Sequence, residues 1–384
     1  MSDYPVSLLS RMLKIYSPSG GEEEISNFLA AEMKNLGFSV RKDEVGNVIG
    51  EIGEGKPVVL LCGHMDTVEG YIPVKVEDNK LYGRGAVDAK APLAAMIIAS
   101  ATFLKESFPG KILVVGVVDE EGSGRGIKHF VKEGIQPDYA IFGEPSGVGK
   151  IVFGYKGILN IKITCETPSG HTAAPWLFDN AIEKAMELWR QIRKLHLREE
   201  KLRSRFYSLT SCLTKINGGN SSSMIPSKCD IYIQLRIPPQ FTPEQVFNEV
   251  ERKVRRYQAT NSKVSVKVKM EDVANAFEAD RRSVLVRALA WAIRKTTLNY
   301  ASFSRKTGTG DMNVLGNSLN IPVVTYGPGD SRLDHTPNEH IDLQEYTTSI
   351  EVYRNTLMKL PELMENRRRL EKAKPFLNKK KVGV

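Results

Sequence analysis

The sequence predicts an α/β protein: a mixed, mostly parallel sheet with flanking helices, interrupted by an inserted α+β domain. Three observations predict it. First, short apolar runs at Val58 to Cys62, Lys111 to Val118 and Tyr139 to Phe142 alternate with helical patterns, as do strands buried on both faces of a parallel sheet. Second, each run ends in imidazole or carboxylate groups: His64 and Asp66, then Asp119 to Glu121, then Glu144. Third, between about Gly157 and Met270 the pattern changes to alternating apolar and polar positions around two helices, which suits a sheet with one solvated face.

Taken in order, residues 3 to 36 show helical periodicity divided by Pro18-Ser19-Gly20-Gly21, and Ser19 followed by Glu22 reads as a capping box. Strands are expected at Ser39 to Lys42, Val48 to Ile52 and Val58 to Cys62, the last broken by Gly63 so that His64 and Asp66 stand at its end. These two residues share a face there, so Asp66 can brace the ring of His64. Tyr71 to Gly83 reads as a hairpin turning at Asp78-Asn79. Asp88 follows the glycine-rich Gly83-Arg84-Gly85 turn and precedes an apolar helix from Ala91 to Leu104.

Three adjacent carboxylates at the mouth of the apolar run Lys111 to Val118 are costly unless a cation or water receives them. Beyond Gly157 the expected order is β-α-β-β-α-β, with a helix over about Asn180 to Leu197 and strands at Tyr207 to Ile216, Lys228 to Ile237 and Lys263 to Met270. The α/β pattern returns with a helix at Arg281 to Lys295, a strand at Ile321 to Tyr326, the loop Gly327 to His340 and a final helix over about Gln344 to Leu370. The domain expectation is therefore residues 1–156 with 271–384 as one body and 157–270 as the insertion.

No apolar run approaches the ~18 residues a membrane helix needs, and the N-terminal residues lack the basic and apolar regions of a secretion signal. Cys62, Cys165, Cys212 and Cys229 lack Cys-x-x-Cys spacing and read as buried thiols of a reducing cytoplasm. Net charge is +9, and two segments carry it: Arg190 to Arg205 and Pro361 to Val384 are each net +5, leaving the remainder at −1. A solvated helix face and a ragged tail account for such segments; an acidic macromolecular partner is the functional alternative. The basic segments lack interleaved aromatics and any nucleic-acid motif, which argues against nucleic-acid binding.

The candidate ligands are His64, Asp88, Glu121, Glu144 and His335. Imidazole and carboxylate without thiolate suit zinc, with cobalt or manganese as alternatives. Two histidines and three carboxylates suffice for two divalent metals if Asp88 bridges, and Glu120 is then left to act as the base on a water.

The blocks Gly63-His64-Met65-Asp66-Thr67, Gly83 to Lys90, Asp119-Glu120-Glu121-Gly122, Gly143-Glu144-Pro145-Ser146, Ser169-Gly170-His171 and Asp334-His335-Thr336-Pro337 fall in this order over nearly the whole chain. In these it resembles the co-catalytic zinc deacylases and exopeptidases that include acetylornithine deacetylase, succinyl-diaminopimelate desuccinylase and carboxypeptidase G. The resemblance implies a zinc exopeptidase-like catalytic domain and an inserted lid or dimerisation domain. It implies the same ligands with Asp88 bridging, Glu120 as general base and acid, Asp66 as the brace of His64, and a cis peptide after Asp88. It also implies that His171 binds the oxyanion in the partner subunit of a homodimer, and that Arg236 holds the substrate carboxylate. The family's Asn-Val-Ile-Pro reads Ser223-Met224-Ile225-Pro226 here, so Ser223 stands at a substrate-binding position; its Gly-Thr-Ser-Asp reads Gly308-Thr309-Gly310-Asp311.

Within the family, Gly83 to Lys90 and Gly329 to Pro337 resemble most the lysine-biosynthesis branch. Those enzymes release lysine or ornithine from the C-terminal glutamate side chain of a small acidic amino-group carrier protein. The alternatives weighed are a free N-acyl amino acid or dipeptide as substrate, and a non-catalytic binding protein. A non-catalytic relative should have lost a ligand or Glu120, and this chain has lost neither.

Overall fold

The computed structural model describes residues 4–197 and 204–379, with side chains through residue 366. Arg198, Lys201 and Arg203 of the first basic segment, and the basic residues from Arg367 on in the second, therefore fall outside the described side chains. The chain divides into two compact units, one of residues 1–153, 279–304 and 314–384 and one of residues 154–278 and 305–313.

The larger sheet runs in the order Ser39–Lys42, Val48–Gly53, Lys111–Val117, Val58–His64, Tyr139–Phe142, Val323–Thr325 and Lys150–Tyr155, all of the first unit except that the last strand leaves it after Phe153. The four from Lys111–Val117 to Val323–Thr325 are mutually parallel. Their carboxyl ends therefore point one way, where sites form in such sheets. The outer pairings are antiparallel. The central strands are buried on both faces, which is why they read as continuous apolar runs rather than alternations.

The strand at Val58 does not stop at Gly63 but runs through to His64. Gly63 lies opposite Gly116 of the neighbouring strand, and a Cβ on Gly63 would come within 3.3 Å of the Leu93 Cβ, while one on Gly116 would meet Met65 at 2.9 Å. Gly63 is thus a packing glycine, not a strand breaker: it lets the helix Lys90–Ala101 lie close to the sheet. That helix is rich in alanine and buried on almost every face, so it fits the narrow space.

The expected capping box at Ser19 and Glu22 does not form. Glu22 is itself the N-cap of helix Glu23–Leu36 and makes no side-chain cap bond. Its Oε1 instead accepts from the backbone N–H groups of Gly20 and Asp119 at 2.9 and 3.0 Å. Ser19 Oγ donates to Asp66 Oδ2 at 2.7 Å. Long-range partners thus took both side chains from a local motif. The strand Lys150–Tyr155, five of its six residues buried, had no counterpart in the sequence reading.

The second unit holds a four-stranded antiparallel sheet in the order Thr210–Gly218, Lys228–Ile237, Gly157–Glu166, Ser265–Ala274. With helices Ala181–Ile192 and Pro243–Thr260 the element order is β-α-β-β-α-β. Strict alternation along Gly157–Glu166 puts Leu159, Ile161 and Ile163 into a core with Leu188, Ile192, Ile231, Ile233 and Val250. Asn180 caps the first helix through its side chain. Thr242 and Gln245 form a full capping box on the second, with Pro243 in its first turn.

Cys62, Cys165 and Cys229 are buried, but Cys212 is exposed. It sits on the edge strand Thr210–Gly218, whose residues are mostly solvated, and this corrects the expectation for that thiol. Burial pushes the Cys165 thiol up to about 12, so it stays protonated and inert. No helix among the described residues is long and apolar enough to cross a membrane.

Candidate metal centre

Each of the four parallel strands delivers a titratable group at its carboxyl end or in the loop that follows. His64 is the last residue of its strand and is 1% exposed. Glu120 and Glu121 follow Val117 after a turn in which Asp119 takes a left-handed backbone, φ +61°. Glu144 comes two residues after Phe142, and His335 lies in the loop after Thr325, also left-handed at φ +62°. Asp88 lies two residues before the helix Lys90–Ala101, and the Asp88–Ala89 peptide is cis.

The five candidate ligands fall in two groups with Asp88 in both: His64, Asp88 and Glu144, and Asp88, Glu121 and His335, the potential ligand atoms of each group lying within 4.8 Å of one another. His64 Nε2 is 3.1 Å from Asp88 Oδ1 and 3.6 Å from Glu144 Oε1. His335 Nε2 is 3.2 Å from Asp88 Oδ2 and 2.8 Å from Glu121 Oε1. Each imidazole thus faces one oxygen of the same carboxylate. Glu120 groups with His64 and Glu121.

Asp66 works differently from the expected brace. His64 Nδ1 lies 2.9 Å from the Asp66 backbone carbonyl and 3.7 Å from its carboxylate. A carbonyl only accepts, so Nδ1 carries a proton; without a cation Nε2 also holds one and donates it to Asp88 Oδ1, and it is the nitrogen that would turn to a cation once that proton is displaced. The Asp66 carboxylate, fully buried, accepts instead from the backbone N–H groups of Glu120 and Glu121 at 3.1 and 3.0 Å. It therefore holds the turn that presents those two side chains.

The field of this cluster favours positive charge. Burial pulls the His64 imidazole down, but the bond to Asp88 and the charges of Glu144 and Glu120 outweigh it and hold it well above its usual value. The bond to Asp88, with Glu121 adding to it against burial, raises His335 to about 9. Burial pushes the Asp88 carboxyl up, and bonds to His335 and His64 outweigh that and hold it far below the carboxylate range. Burial and the neighbouring Asp88 charge push Glu121 up. A donor set that draws protons onto two imidazoles is chemically fitted to hard or borderline divalent cations.

In the second unit, His171 and Ser223 share one stretch of backbone. His171 bridges to Met224, and Thr172 N donates to the Ser223 carbonyl at 3.2 Å. Both side chains are exposed, and His171 Nδ1 accepts from Ala173 N at 3.0 Å. Arg236 projects from Lys228–Ile237, donating to Gln234 Oε1 and to Thr309 Oγ1, each at 3.0 Å. Thr309 belongs to the Gly308-Thr309-Gly310-Asp311 loop that departs from the family pattern. Burial lowers the Arg236 guanidinium from its ordinary value.

Three groups in the first unit escaped the sequence reading. Arg84 and Glu339 form a buried ion pair at 2.8 Å. Lys90, 1% exposed, donates to the carbonyls of Met12 and Ile15, and burial lowers it to about 7. Arg84 and Lys90 lie inside the Gly83 to Lys90 block and Glu339 in the loop Gly327 to His340, and a charge inside an otherwise apolar or glycine-rich stretch was the available signal.

The profile of the family described as Peptidase family M20/M25/M40 matches residues 60–359. A protein of Pyrococcus furiosus, with the provisional name LysW-lysine/LysW-ornithine hydrolase, is 38% identical over 356 residues, covering 92% of this chain and 97% of that one. The LysW-lysine hydrolase of Deinococcus radiodurans is 33% identical over 358 residues, covering 92% and 96%. Among solved structures, the M20 family metallo-carboxypeptidase Sso-CP2 from Sulfolobus solfataricus superposes with a TM-score of 0.79 at 18% identity, covering 94% of this chain and 99% of its own. With its fold, its strand-end cluster and this coverage, the chain belongs to the peptidase family M20/M25/M40.

Proposed function

We propose that this chain is a metal-dependent amide hydrolase that releases lysine, ornithine or both from the C-terminal glutamate side chain of a small acidic carrier protein. That places it at the releasing step of lysine synthesis and, through ornithine, of arginine synthesis in the cytoplasm. The single observation that carries the chemistry is the shared Asp88, with one oxygen toward each imidazole and a further carboxylate behind each. The substrate is supported by relatives, matched over more than nine-tenths of either chain, whose names specify LysW-lysine and LysW-ornithine.

His64, Asp88 and Glu144 would hold one divalent cation, and Asp88, Glu121 and His335 the other. The donor set favours zinc, with cobalt or manganese as alternatives. Such a pair, when bound, polarises the scissile carbonyl and eases deprotonation of water. The remaining work falls to the chain. Glu120 takes the proton of the attacking water and returns it to the departing amine. Asp66 keeps Glu120 in place through its backbone N–H. Arg236 takes the carboxylate of the departing amino acid, as guanidinium groups do, with Ser223 at the neighbouring substrate position. His171 of the partner subunit donates to the developing oxyanion, and the second unit serves as the lid and dimerisation domain.

The test is direct. Purified protein is offered carrier–lysine and carrier–ornithine conjugates beside acetylornithine and simple dipeptides, and the released amine is identified. The conjugates should turn over fastest. Faster turnover of acetylornithine or a dipeptide would overturn the carrier reading in favour of a deacylase or dipeptidase. Chelation should abolish all turnover, and zinc or cobalt should restore it.

A further inference from the structure

Asp88 and His335 sit on loops about 250 residues apart in sequence, yet a cation between them needs their spacing held to a fraction of an ångström. Direct bonds between the loops run both ways. From the His335 loop, the Glu339 carboxylate, 0% exposed, reaches the Asp88 loop: its Oε1 accepts from the backbone N–H groups of Val87 and Asp88 at 2.8 and 3.0 Å. From the Asp88 loop, Arg84 reaches back: its Nη1 donates to the Thr336 carbonyl at 3.1 Å, next to His335, and to Glu339 Oε2 at 2.8 Å. Arg84 Nε is anchored on the Gly70 carbonyl at 2.9 Å. The Glu339 carbonyl accepts from Gly83 N at 3.3 Å.

A buried ion pair is a weak source of net stability, because desolvation offsets most of its attraction. It is a strong source of geometry. His335 also needs such a hold, since its left-handed backbone is unfavourable for a non-glycine residue. We propose that Arg84 and Glu339 are positioning residues: each grips the backbone of the other's loop, and together they set the distance between Asp88 and His335 at which the cluster takes cations. The inference rests on the ligand reading given above.

Glu339→Gln tests it. The amide oxygen can still accept from Val87 and Asp88, but the amide nitrogen meets a donor on Arg84, so the Arg84–Glu339 bond is lost and the guanidinium is pushed from the place where it holds the Thr336 carbonyl. Metal-stripped protein is titrated with cobalt, followed by calorimetry and by visible absorption. The wild type should take up two ions. In Glu339→Gln the affinity should fall about 10- to 100-fold, the range for groups behind metal ligands, with an altered absorption envelope. The double variant Arg84→Met/Glu339→Gln removes the stranded buried charge. Its melting temperature should recover relative to the single variant while the weak cobalt binding persists.

Wild-type affinity in Glu339→Gln, or recovery of affinity together with stability in the double variant, would overturn the proposal. Failure of both variants to fold would assign the pair to the fold rather than to the site, which overturns it as well. If the wild type itself takes up fewer than two ions, the ligand reading fails instead.

Discussion

The two sheets of this molecule place their candidate site side chains by opposite rules. In the first unit, four parallel strands end on one side, and each contributes a group at its end or in the loop that follows, so His64, Glu120, Glu121, Glu144 and His335 accumulate beyond one edge. In the second unit, antiparallel strands alternate in direction and in exposure, so Arg236 stands on a strand and His171 and Ser223 in loops. The first arrangement makes a collective site in which each group alters the charge state of the next. The second makes separate contacts whose contributions should be independent.

Substitutions can break this comparison or sharpen it. The largest effect is expected for Glu120→Gln, where turnover should fall ~10²- to 10⁴-fold, the usual contribution of a general base, while metal content measured by atomic absorption is unchanged. Near-normal turnover would remove Glu120 from the collective site. Next, Arg236→Ala should cost ~2–5 kcal/mol, the cost of leaving a bound charge without its partner. The loss should appear mainly in KM, and an equal loss in kcat would show that Arg236 is not independent of the chemistry.

Ile163→Ala should destabilise the second unit by ~2–5 kcal/mol through an unfilled core, read by denaturant unfolding. Lys267→Ala on the same sheet's exposed face should stay within ~0.5 kcal/mol. A pH experiment addresses the collective site directly. In metal-stripped protein His335 is raised to about 9 from its ordinary value near 6.5. Its contribution to stability is then fully present below about 6.5 and is lost as pH rises through about 9. At pH 7.5 the His335 imidazole holds its extra proton, and His64 is shifted in the same direction, so zinc uptake should release at least one proton per chain, measurable by calorimetry in buffers of different ionisation enthalpy. No proton release would mean that the imidazoles are not displaced by the metal.

Much of the first sheet could be read from sequence because strand, turn and titratable group occur in the same order on every repeat of the pattern. His64, Asp88, Glu121, Glu144 and His335 could be collected without knowing their distances. Local motifs were less reliable where a distant partner competed. Ser19 and Glu22 form no capping box because Asp66 and the Asp119 backbone take their polar atoms. Asp66 reads as the brace of His64 from its i+2 spacing, yet its carboxylate goes to Glu120 and Glu121, 54 and 55 residues away. Arg84 and Glu339, 255 residues apart, leave no periodic trace at all. Exposure of Cys212 depends on its strand lying at the sheet edge, which pattern alone does not settle.

The facing glycines 63 and 116 carry one more consequence. The helix they admit begins at Lys90, two residues after Asp88, so an added methyl group on either strand would shift the scaffold on which that carboxylate is mounted. Alleles at these two apolar-layer positions should therefore behave as activity defects before they behave as folding defects, although neither residue has a side chain with which to touch a substrate.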